Sequence, residues 1–133
     1  MKKILVVDDN ELLCRMARDI LEMDGYRVVA ACDAMKALET FENERFDAVV
    51  TDLRMPGMSG LELARLIRAK YPGFPIIMMT AYGPVQADEI TTCLAKENLF
   101  PELLKAIRLC VFELGDEAAE SREGIPIEEV GGV

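Results

Sequence analysis

Short apolar runs and amphipathic stretches alternate along the chain. The apolar runs, rich in Val and Ile and closed by polar or turn residues, lie at roughly 3–8, 26–31, 47–51, 75–80 and 91–95. Runs of this kind are typical of buried parallel strands. Between them, apolar residues recur at helical spacing after positions 10, 33 and 59, and again from 101. The alternation predicts an α/β fold, in which helices cover both faces of a parallel sheet through right-handed crossovers.

The ends of the predicted helices carry capping residues. Asn10 and Asp33 can each cap a helix, and Ser59 with Glu62 has the spacing of a capping box. Pro101 suits the first position of the last helix. We expect one apolar stripe of the first helix to face the sheet: Leu12, Leu13, Met16, Ala17, Ile20 and Leu21. We expect the same of a stripe on the third helix: Leu63, Leu66 and Ile67.

Residues 81–100 have too little room for a full helix and a strand. If residues 91–95 form the fifth strand, the preceding helix is confined to about Pro84–Ile90. Seven residues make two helical turns at most. The sequence therefore predicts that the helix before the fifth strand is short or missing.

Three aspartates end two of the predicted strands. Asp8 and Asp9 follow the first apolar run, and Asp52 follows the third. The carboxyl ends of parallel strands meet at one edge of the sheet, where open α/β sheets bind their ligands. Three carboxylates placed together repel one another unless water or a cation compensates them. An acidic pocket of this kind makes Mg²⁺ the first candidate ligand.

Length and composition limit the class of protein. The chain has 133 residues, enough for one domain, which we place at 1–115. Residues 116–133 hold six acids and one base, and they are predicted to be an acidic tail, not a second domain. The net charge of -9 argues against binding nucleic acid through a basic face. No apolar run is long enough to span a membrane, and the short one after Met1 is interrupted too early for a signal peptide.

The cysteines point to a reducing compartment. The four cysteines are scattered, with no Cys-x-x-Cys pair, and the chain has no histidine. A zinc site is therefore not expected. We interpret the cysteines as buried free thiols of a cytoplasmic protein.

Three motifs in order give the chain a specific resemblance. They are Val-Val-Asp-Asp-Asn at 6–10, Thr-Asp-Leu-Arg-Met-Pro-Gly-Met-Ser-Gly at 51–60 and Met-Met-Thr-Ala-Tyr-Gly at 78–83. Together they resemble the receiver domain of bacterial two-component response regulators, from residue 3 to about 80 and again from about 93 to 112. The resemblance implies a flavodoxin-like sheet of five parallel strands in the order 2-1-3-4-5.

The resemblance also implies roles for the acidic residues. Asp52 matches the nucleophile that takes a phosphoryl group from a phosphohistidine of a partner kinase. Asp8 and Asp9, with Asp52 and the backbone carbonyl of Arg54, match the Mg²⁺ ligands of the family. Thr80 matches the hydroxyl that binds a phosphoryl oxygen and moves after phosphorylation.

Each of these residues also has an ordinary structural interpretation. Asp8 and Asp9 could be solvated residues after a strand, Asp52 could merely approach a helix, and Thr80 could simply end a strand. Tyr82 occupies the position at which the family tunes the access of water to the phosphoryl group, and it could equally be a plain loop aromatic. The motifs around the aspartates favour the functional interpretation.

The region before the last helix departs from the family pattern. Alignment of that helix places Lys96 at the usual lysine position, only 16 residues after Thr80. The usual interval is longer by about six residues, more than one and a half helical turns. Glu97 stands where the family has proline, and Cys93 replaces the usual aromatic residue. Lys96 is therefore predicted either to reach the pocket or to remain a solvated lysine away from it.

The expected function is a phosphorylation-dependent switch, not that of an enzyme in the ordinary sense. We expect a stand-alone receiver, a monomer or a weak homodimer, whose partners are a histidine kinase or phosphotransfer protein and a downstream protein target. One alternative is a pseudo-receiver, an interaction module that does not depend on phosphorylation. A Mg²⁺-dependent phosphatase resembling haloacid dehalogenases is a weaker alternative, because Arg54 stands where those enzymes need a second acid.

Overall fold

The computed structural model describes residues 1–81 and 86–114. Five parallel strands form one sheet in the order β2-β1-β3-β4-β5. The strands are β1 (Lys3–Val7), β2 (Arg27–Ala31), β3 (Ala48–Asp52), β4 (Ile76–Thr80) and β5 (Thr92–Ala95). The helices are α1 (Glu11–Met23), α2 (Ala34–Asn43), α3 (Gly60–Lys70) and α4 (Leu99–Arg108); a 3₁₀ turn (Lys96–Asn98) precedes α4 and a π-helical turn (Leu109–Leu114) follows it. The predicted flavodoxin-like fold and strand order are confirmed.

Alternate residues of each strand face opposite sides of the sheet and build two hydrophobic layers. Ile4 and Val6 of β1 pack with α1 and α4 on one side. Leu5 and Val7 pack with α2 and α3 on the other side. Because both faces of β1 are buried, its run of apolar residues is continuous, as expected for the centre of a parallel sheet.

The predicted caps are present at the first three helices. Asn10 Oδ1 accepts a hydrogen bond from the Leu13 amide at 3.2 Å, and Asp33 Oδ1 accepts one from the Lys36 amide at 2.8 Å. Ser59 and Glu62 form the expected capping box, with bonds of 3.1 and 2.9 Å. These caps begin each helix just after the sheet edge that carries the aspartates, and so fix the loops around them.

Some predicted inward-facing residues lie at the surface. Leu12 and Met16 of α1 are 61% and 40% exposed, and Leu66 of α3 is 45% exposed. The faces of α1 and α3 that contact the sheet are narrower than the apolar stripes, and small residues such as Ala17 and Ala64 are among the buried ones. The apolar stripe thus predicted which side of each helix faces the sheet, but it overestimated the width of the buried face.

The start of the last helix also differs from its prediction. Helix α4 begins at Leu99, so Pro101 is its third residue, not its first. Proline is still compatible with this place, because the amides of the first helical turn have no partner within the helix. The 3₁₀ turn before α4 carries Lys96 directly from β5 toward the helix.

The connection between β4 and β5 is short, as the sequence predicts. Among its described residues, 81 and 86–91, none belongs to a helix, and Ile90 N–H donates to Ala87 O within a turn. The rest of the helix predicted at Pro84–Ile90 lies outside the described residues. So do the tail at 116–133 and the boundary at 115, which stay predictions.

The cysteines are only partly as expected. All four are free, and Cys14 and Cys110 are buried, but Cys32 is exposed and Cys93 is half-buried. In the part of the chain that the structure covers, no helix combines the length and the apolar character needed to cross a membrane.

The loop after β3 folds back against the strand that it leaves. Gly60 N–H donates to Leu53 O at 2.9 Å, and Leu53 N–H donates to Met79 O at 3.0 Å. A Cβ atom on Gly60 would lie 2.0 Å from the backbone oxygen of Asp52. Gly60 is therefore required by the close approach of α3 to the end of β3.

We expect Gly60→Ala to lower the free energy of unfolding by roughly 2–3 kcal/mol, because backbone must shift to admit the methyl group. The penalty opposes the intrinsic helix preference for alanine, of about 1 kcal/mol. Urea unfolding measures the change. The control is Ala69→Gly on the exposed last turn of α3, where a loss of at most about 1 kcal/mol is expected. A Gly60→Ala protein as stable as the parent would contradict the close approach.

Candidate functional site

The sheet brings the three predicted aspartates together. Asp8 follows β1 directly, and Asp52 is the last residue of the neighbouring β3. One carboxylate oxygen each from Asp8, Asp9 and Asp52 can be chosen so that all three lie within 4.8 Å of one another. The convergence expected from the strand ends is thus present in the folded chain.

Asp8 is the most enclosed of the three. Its side chain is fully buried, and its Oδ1 accepts a hydrogen bond from the Asn10 amide at 2.9 Å. Its Oδ2 has no hydrogen-bond donor of suitable geometry among the described residues. A buried carboxylate oxygen without a hydrogen bond is costly unless a positive charge lies beside it. Asp9, by contrast, is exposed at the mouth of the pocket.

The backbone of Asp52 is held by the preceding residue of β3 and by the first residue of α3. Its backbone oxygen accepts a hydrogen bond from Thr51 Oγ1 at 3.0 Å and lies against Gly60. Its carboxylate is only 8% exposed. These contacts hold the backbone of Asp52 at the sheet edge, where its carboxylate keeps a small exposed fraction.

Lys96 reaches the pocket from β5. Its Nζ lies 3.0 Å from Asp8 Oδ2 and 3.1 Å from Asp52 Oδ1. The first contact is an ion pair at short distance without the angles of a hydrogen bond, which agrees with the unbonded state of Asp8 Oδ2. The ammonium thus bridges the ends of two strands and compensates part of their negative charge.

The pKa values of Asp8 and Lys96 are both raised by their surroundings. Burial raises the pKa of Asp8 above its ordinary value, and Asp52 raises it further, against the opposing effects of Asn10 and Lys96. Burial would lower the pKa of Lys96, but its contacts with Asp8 and Asp52 raise it overall. The pocket therefore keeps Lys96 charged and holds the Asp8 carboxylate at an energetic cost.

Two other predicted residues, Thr80 and Arg54, lie at or near the same edge. Thr80 is buried at the end of β4, one residue beyond Met79, which pairs with Asp52. Arg54 lies two residues after Asp52 in the exposed part of the loop. Tyr82 lies outside the described residues. The functional roles of Thr80, Arg54 and Tyr82 stay predictions.

Two contacts at the site were not anticipated from the sequence. The Asn10 amide holds Asp8, in addition to the cap that the Asn10 side chain provides. The Cys14 thiol donates to the backbone oxygen of Asp8 at 3.3 Å, and burial raises the pKa of Cys14 to about 11, so that it stays a donor. An Asp two residues before a helix cap is a signal for the first contact, but nothing local indicates the second.

The family of the chain follows from comparison with known proteins. Residues 4–108 match the family model of the response regulator receiver domain. The chain therefore belongs to the receiver domains of response regulators, which are regulatory parts of two-component systems. The resemblance carried by the three motifs is confirmed.

Two curated relatives match part of the chain. The response regulator protein FleR of Pseudomonas aeruginosa is 42% identical over 83 residues, covering 62% of the chain and 18% of FleR. The alkaline phosphatase synthesis transcriptional regulatory protein PhoP of Bacillus subtilis is 41% identical over 80 residues, covering 60% of the chain and 33% of PhoP. The chain thus spans a third or less of these two relatives.

A solved structure resembles nearly the whole described fold. The response regulator protein TrrA of Thermotoga maritima, in complex with Mg²⁺ and beryllium fluoride, has a TM-score of 0.76 and 35% identity. The match covers 81% of the chain and 97% of TrrA. TrrA has also been solved in complex with the histidine kinase ThkA, and that structure has a TM-score of 0.74.

We expect Asp8→Asn to stabilise the protein at neutral pH in the absence of divalent cations, raising the thermal midpoint by a few degrees. Because the pKa of Asp8 is raised in the folded state, the folded protein holds this proton more tightly than the unfolded chain does. The stability that this tighter proton binding contributes is fully present below pH 3.8, the ordinary pKa of the group. It is lost as the pH rises through the raised pKa of Asp8 in the folded state. Asp8→Asn should flatten this decline.

Thermal unfolding between pH 4 and 8 in the presence of a chelator makes the measurement. Asp9→Asn is the matched control, because Asp9 is adjacent but exposed, and we expect it to leave the thermal midpoint nearly unchanged. Loss of stability in Asp8→Asn at neutral pH would show that the buried carboxylate is compensated fully within the protein.

Proposed function

We propose that the chain is a phosphorylation-dependent switch in which Asp52 accepts a phosphoryl group from a histidine kinase. The observation that carries the proposal is the pocket itself: three carboxylate oxygens within 4.8 Å, with a lysine ammonium 3.1 Å from Asp52. An Asp52 oxygen would attack phosphorus as the phosphorus–nitrogen bond of the phosphohistidine breaks. The imidazole would leave, and Asp52 would become an acyl phosphate.

The donor set fits Mg²⁺. Asp8, Asp9 and Asp52 would hold the cation with the backbone carbonyl of Arg54, because their carboxylate oxygens can approach within 4.8 Å of one another and are the hard donors that Mg²⁺ prefers. When bound, Mg²⁺ would neutralise charge on the phosphoryl oxygens. The preference of Mg²⁺ for a few carboxylates together with water agrees with an open pocket that has one exposed acid, Asp9.

The residues around Asp52 divide the remaining work. The Lys96 ammonium would stabilise the negative charge that develops on the phosphoryl oxygens, and its raised pKa keeps it cationic at neutral pH. Thr80, buried at the end of β4, would donate its hydroxyl to a phosphoryl oxygen and transmit the change to β5, with which β4 pairs. Tyr82 would tune the access of water to the phosphoryl group.

The relatives support the choice of partners. TrrA, of which this chain covers 97%, binds Mg²⁺ with beryllium fluoride in one structure and the kinase ThkA in another. We therefore propose a histidine kinase or phosphotransfer protein as donor, a protein as the downstream target, and the cytoplasm as the location of this chain. The absence of a nucleic-acid partner is proposed for residues 1–114 alone, since PhoP, of which the chain covers 33%, is a transcriptional regulator.

An alternative, the pseudo-receiver, is favoured by one observation. The segment between β4 and β5, which reports phosphorylation in the proposed switch, has no helix among residues 86–91. An interaction module independent of phosphorylation could tolerate that loss. The two functions differ in whether the pocket reacts, which makes phosphorylation the deciding measurement.

We expect acetyl phosphate with Mg²⁺ to add one phosphoryl group to the protein, as measured by intact mass. Asp52→Asn should abolish the adduct, because the amide is not a nucleophile at neutral pH. Asp19→Asn, an exposed aspartate on α1, is the matched control and should keep it. Absence of the adduct in the parent protein would favour the pseudo-receiver, and an adduct that survives Asp52→Asn would remove Asp52 from its role.

We expect Lys96→Gln to separate metal binding from phosphoryl transfer. Loss of a cation 3.0 Å from Asp8 should raise Mg²⁺ affinity a few-fold, seen as a larger thermal stabilisation at a given Mg²⁺ concentration. Loss of the donor near Asp52 should slow phosphorylation by roughly a hundredfold. Weaker Mg²⁺ binding together with an unchanged rate would contradict both assignments.

A further inference from the structure

The strand that directly precedes Lys96 is weakly specified by its own residues. β5 has four residues, lies at the edge of the sheet and, among the described residues, pairs only with β4. All four residues are half-buried, so no contrast between a buried and an exposed face selects one register over another. A slip of two residues would move Lys96 by about 7 Å, out of contact with Asp8 and Asp52.

Thr91, the residue just before β5, is bonded twice to the first residue of β4. Its amide donates to Ile76 O at 2.7 Å, and its Oγ1 accepts from the Ile76 amide at 2.9 Å. Two bonds between the same pair of residues fix the start of β5 against the start of β4. The observed pairing then runs to Ala95 opposite Thr80, with Lys96 next.

Arg68 of α3 holds this junction from the side. Its Nη2 donates to Thr91 Oγ1 at 3.0 Å, its Nη1 to Asp88 O at 3.3 Å and its Nε to Phe74 O at 2.7 Å. One rigid guanidinium thus joins the chain before β4, the turn before β5 and the Thr91 hydroxyl. It does so where residues 86–91 supply no helix of their own to pack on the sheet.

We propose that Arg68 is a positioning residue for the phosphoryl site, fixing the register of β5 through Thr91 and so placing the Lys96 ammonium between Asp8 and Asp52. The expected effect on phosphorylation rests on the proposed function. The effect of Arg68 on the register of β5 does not depend on that function. Arg68 does not touch the pocket. Asp8, Asp9 and Asp52 lie on or directly after β1 and β3, so Arg68 should affect the steps that need Lys96 and leave the carboxylates in place.

The test compares Arg68→Gln and Thr91→Val with Arg65→Gln and Thr91→Ser. Arg65 lies on the same helix and pairs with Glu89 of the same connection at 3.7 Å, whereas the hydrogen bond to Thr91 Oγ1 comes from Arg68. Serine at 91 keeps the hydroxyl, and valine keeps only the shape. Two readouts are measured: the cross-strand nuclear Overhauser effects that define the pairing of Thr80 with Ala95, and the initial rate of phosphorylation by acetyl phosphate with Mg²⁺.

We expect Arg68→Gln and Thr91→Val to weaken or lose the Thr80–Ala95 effects and to slow phosphorylation ten- to a hundredfold. The Mg²⁺ concentration for half-maximal rate should not rise, because Lys96→Gln is itself expected to lower it. Arg65→Gln and Thr91→Ser should behave like the parent. In a Lys96→Gln background, Arg68→Gln should slow the reaction no further, because the lysine that it positions is already gone.

Equal slowing by Arg68→Gln in the presence and absence of Lys96 would overturn the proposal, as would unchanged Thr80–Ala95 effects. If the parent protein takes no phosphoryl group, the proposed function fails, and the magnetic resonance readout alone decides the role of Arg68. If Arg68→Gln does not fold, the pair Thr91→Val and Thr91→Ser decides it, since both residues are close in size to threonine.

Discussion

Like charges meet at the carboxyl edge of this sheet because parallel strands bring their ends to one side. Asp8 and Asp52 come from adjacent strands, and Lys96 lies within 3.1 Å of both carboxylates. This ion-pair bridge is the interaction on which the rest of the site depends. It allows two largely buried acids to coexist, and it ties β5 to β1 and β3 across β4. A displacement of β5 would therefore change the electrostatics of the pocket directly.

The pocket retains unfavourable features that the surrounding structure sustains. Burial raises the pKa of Asp8, and its Oδ2 lacks a hydrogen bond among the described residues. Two hydrophobic layers hold β1 and β3 in place, and the close approach of Gly60 supports Asp52 from beneath. The stability that the hydrophobic core provides thus offsets the energetic cost of a site whose negative charge is only partly compensated. A site of this kind can respond strongly to a cation or to a phosphoryl group.

The sequence was sufficient for the strands, the three caps and the convergence of the aspartates, because each depends on local apolar runs and turn residues. It overestimated burial at Leu12, Met16 and Leu66, since the width of an apolar stripe does not give the width of the surface that it meets. It could not decide whether Lys96 reaches the pocket. That contact depends on the register of a short edge strand, which Thr91 and Arg68 fix through bonds to residues 15 and 23 positions away.

The central claim is that Asp52 and its neighbours form a pocket that binds a phosphoryl group together with a divalent cation. Beryllium fluoride, a stand-in for the phosphoryl group, tests it without a kinase and without turnover. Fluorine NMR of the protein with beryllium fluoride should show protein-bound signals that require both Mg²⁺ and the Asp52 carboxylate, and that are lost in Asp52→Asn. Signals that remain free in the presence of Mg²⁺, or bound signals that survive Asp52→Asn, would contradict the claim.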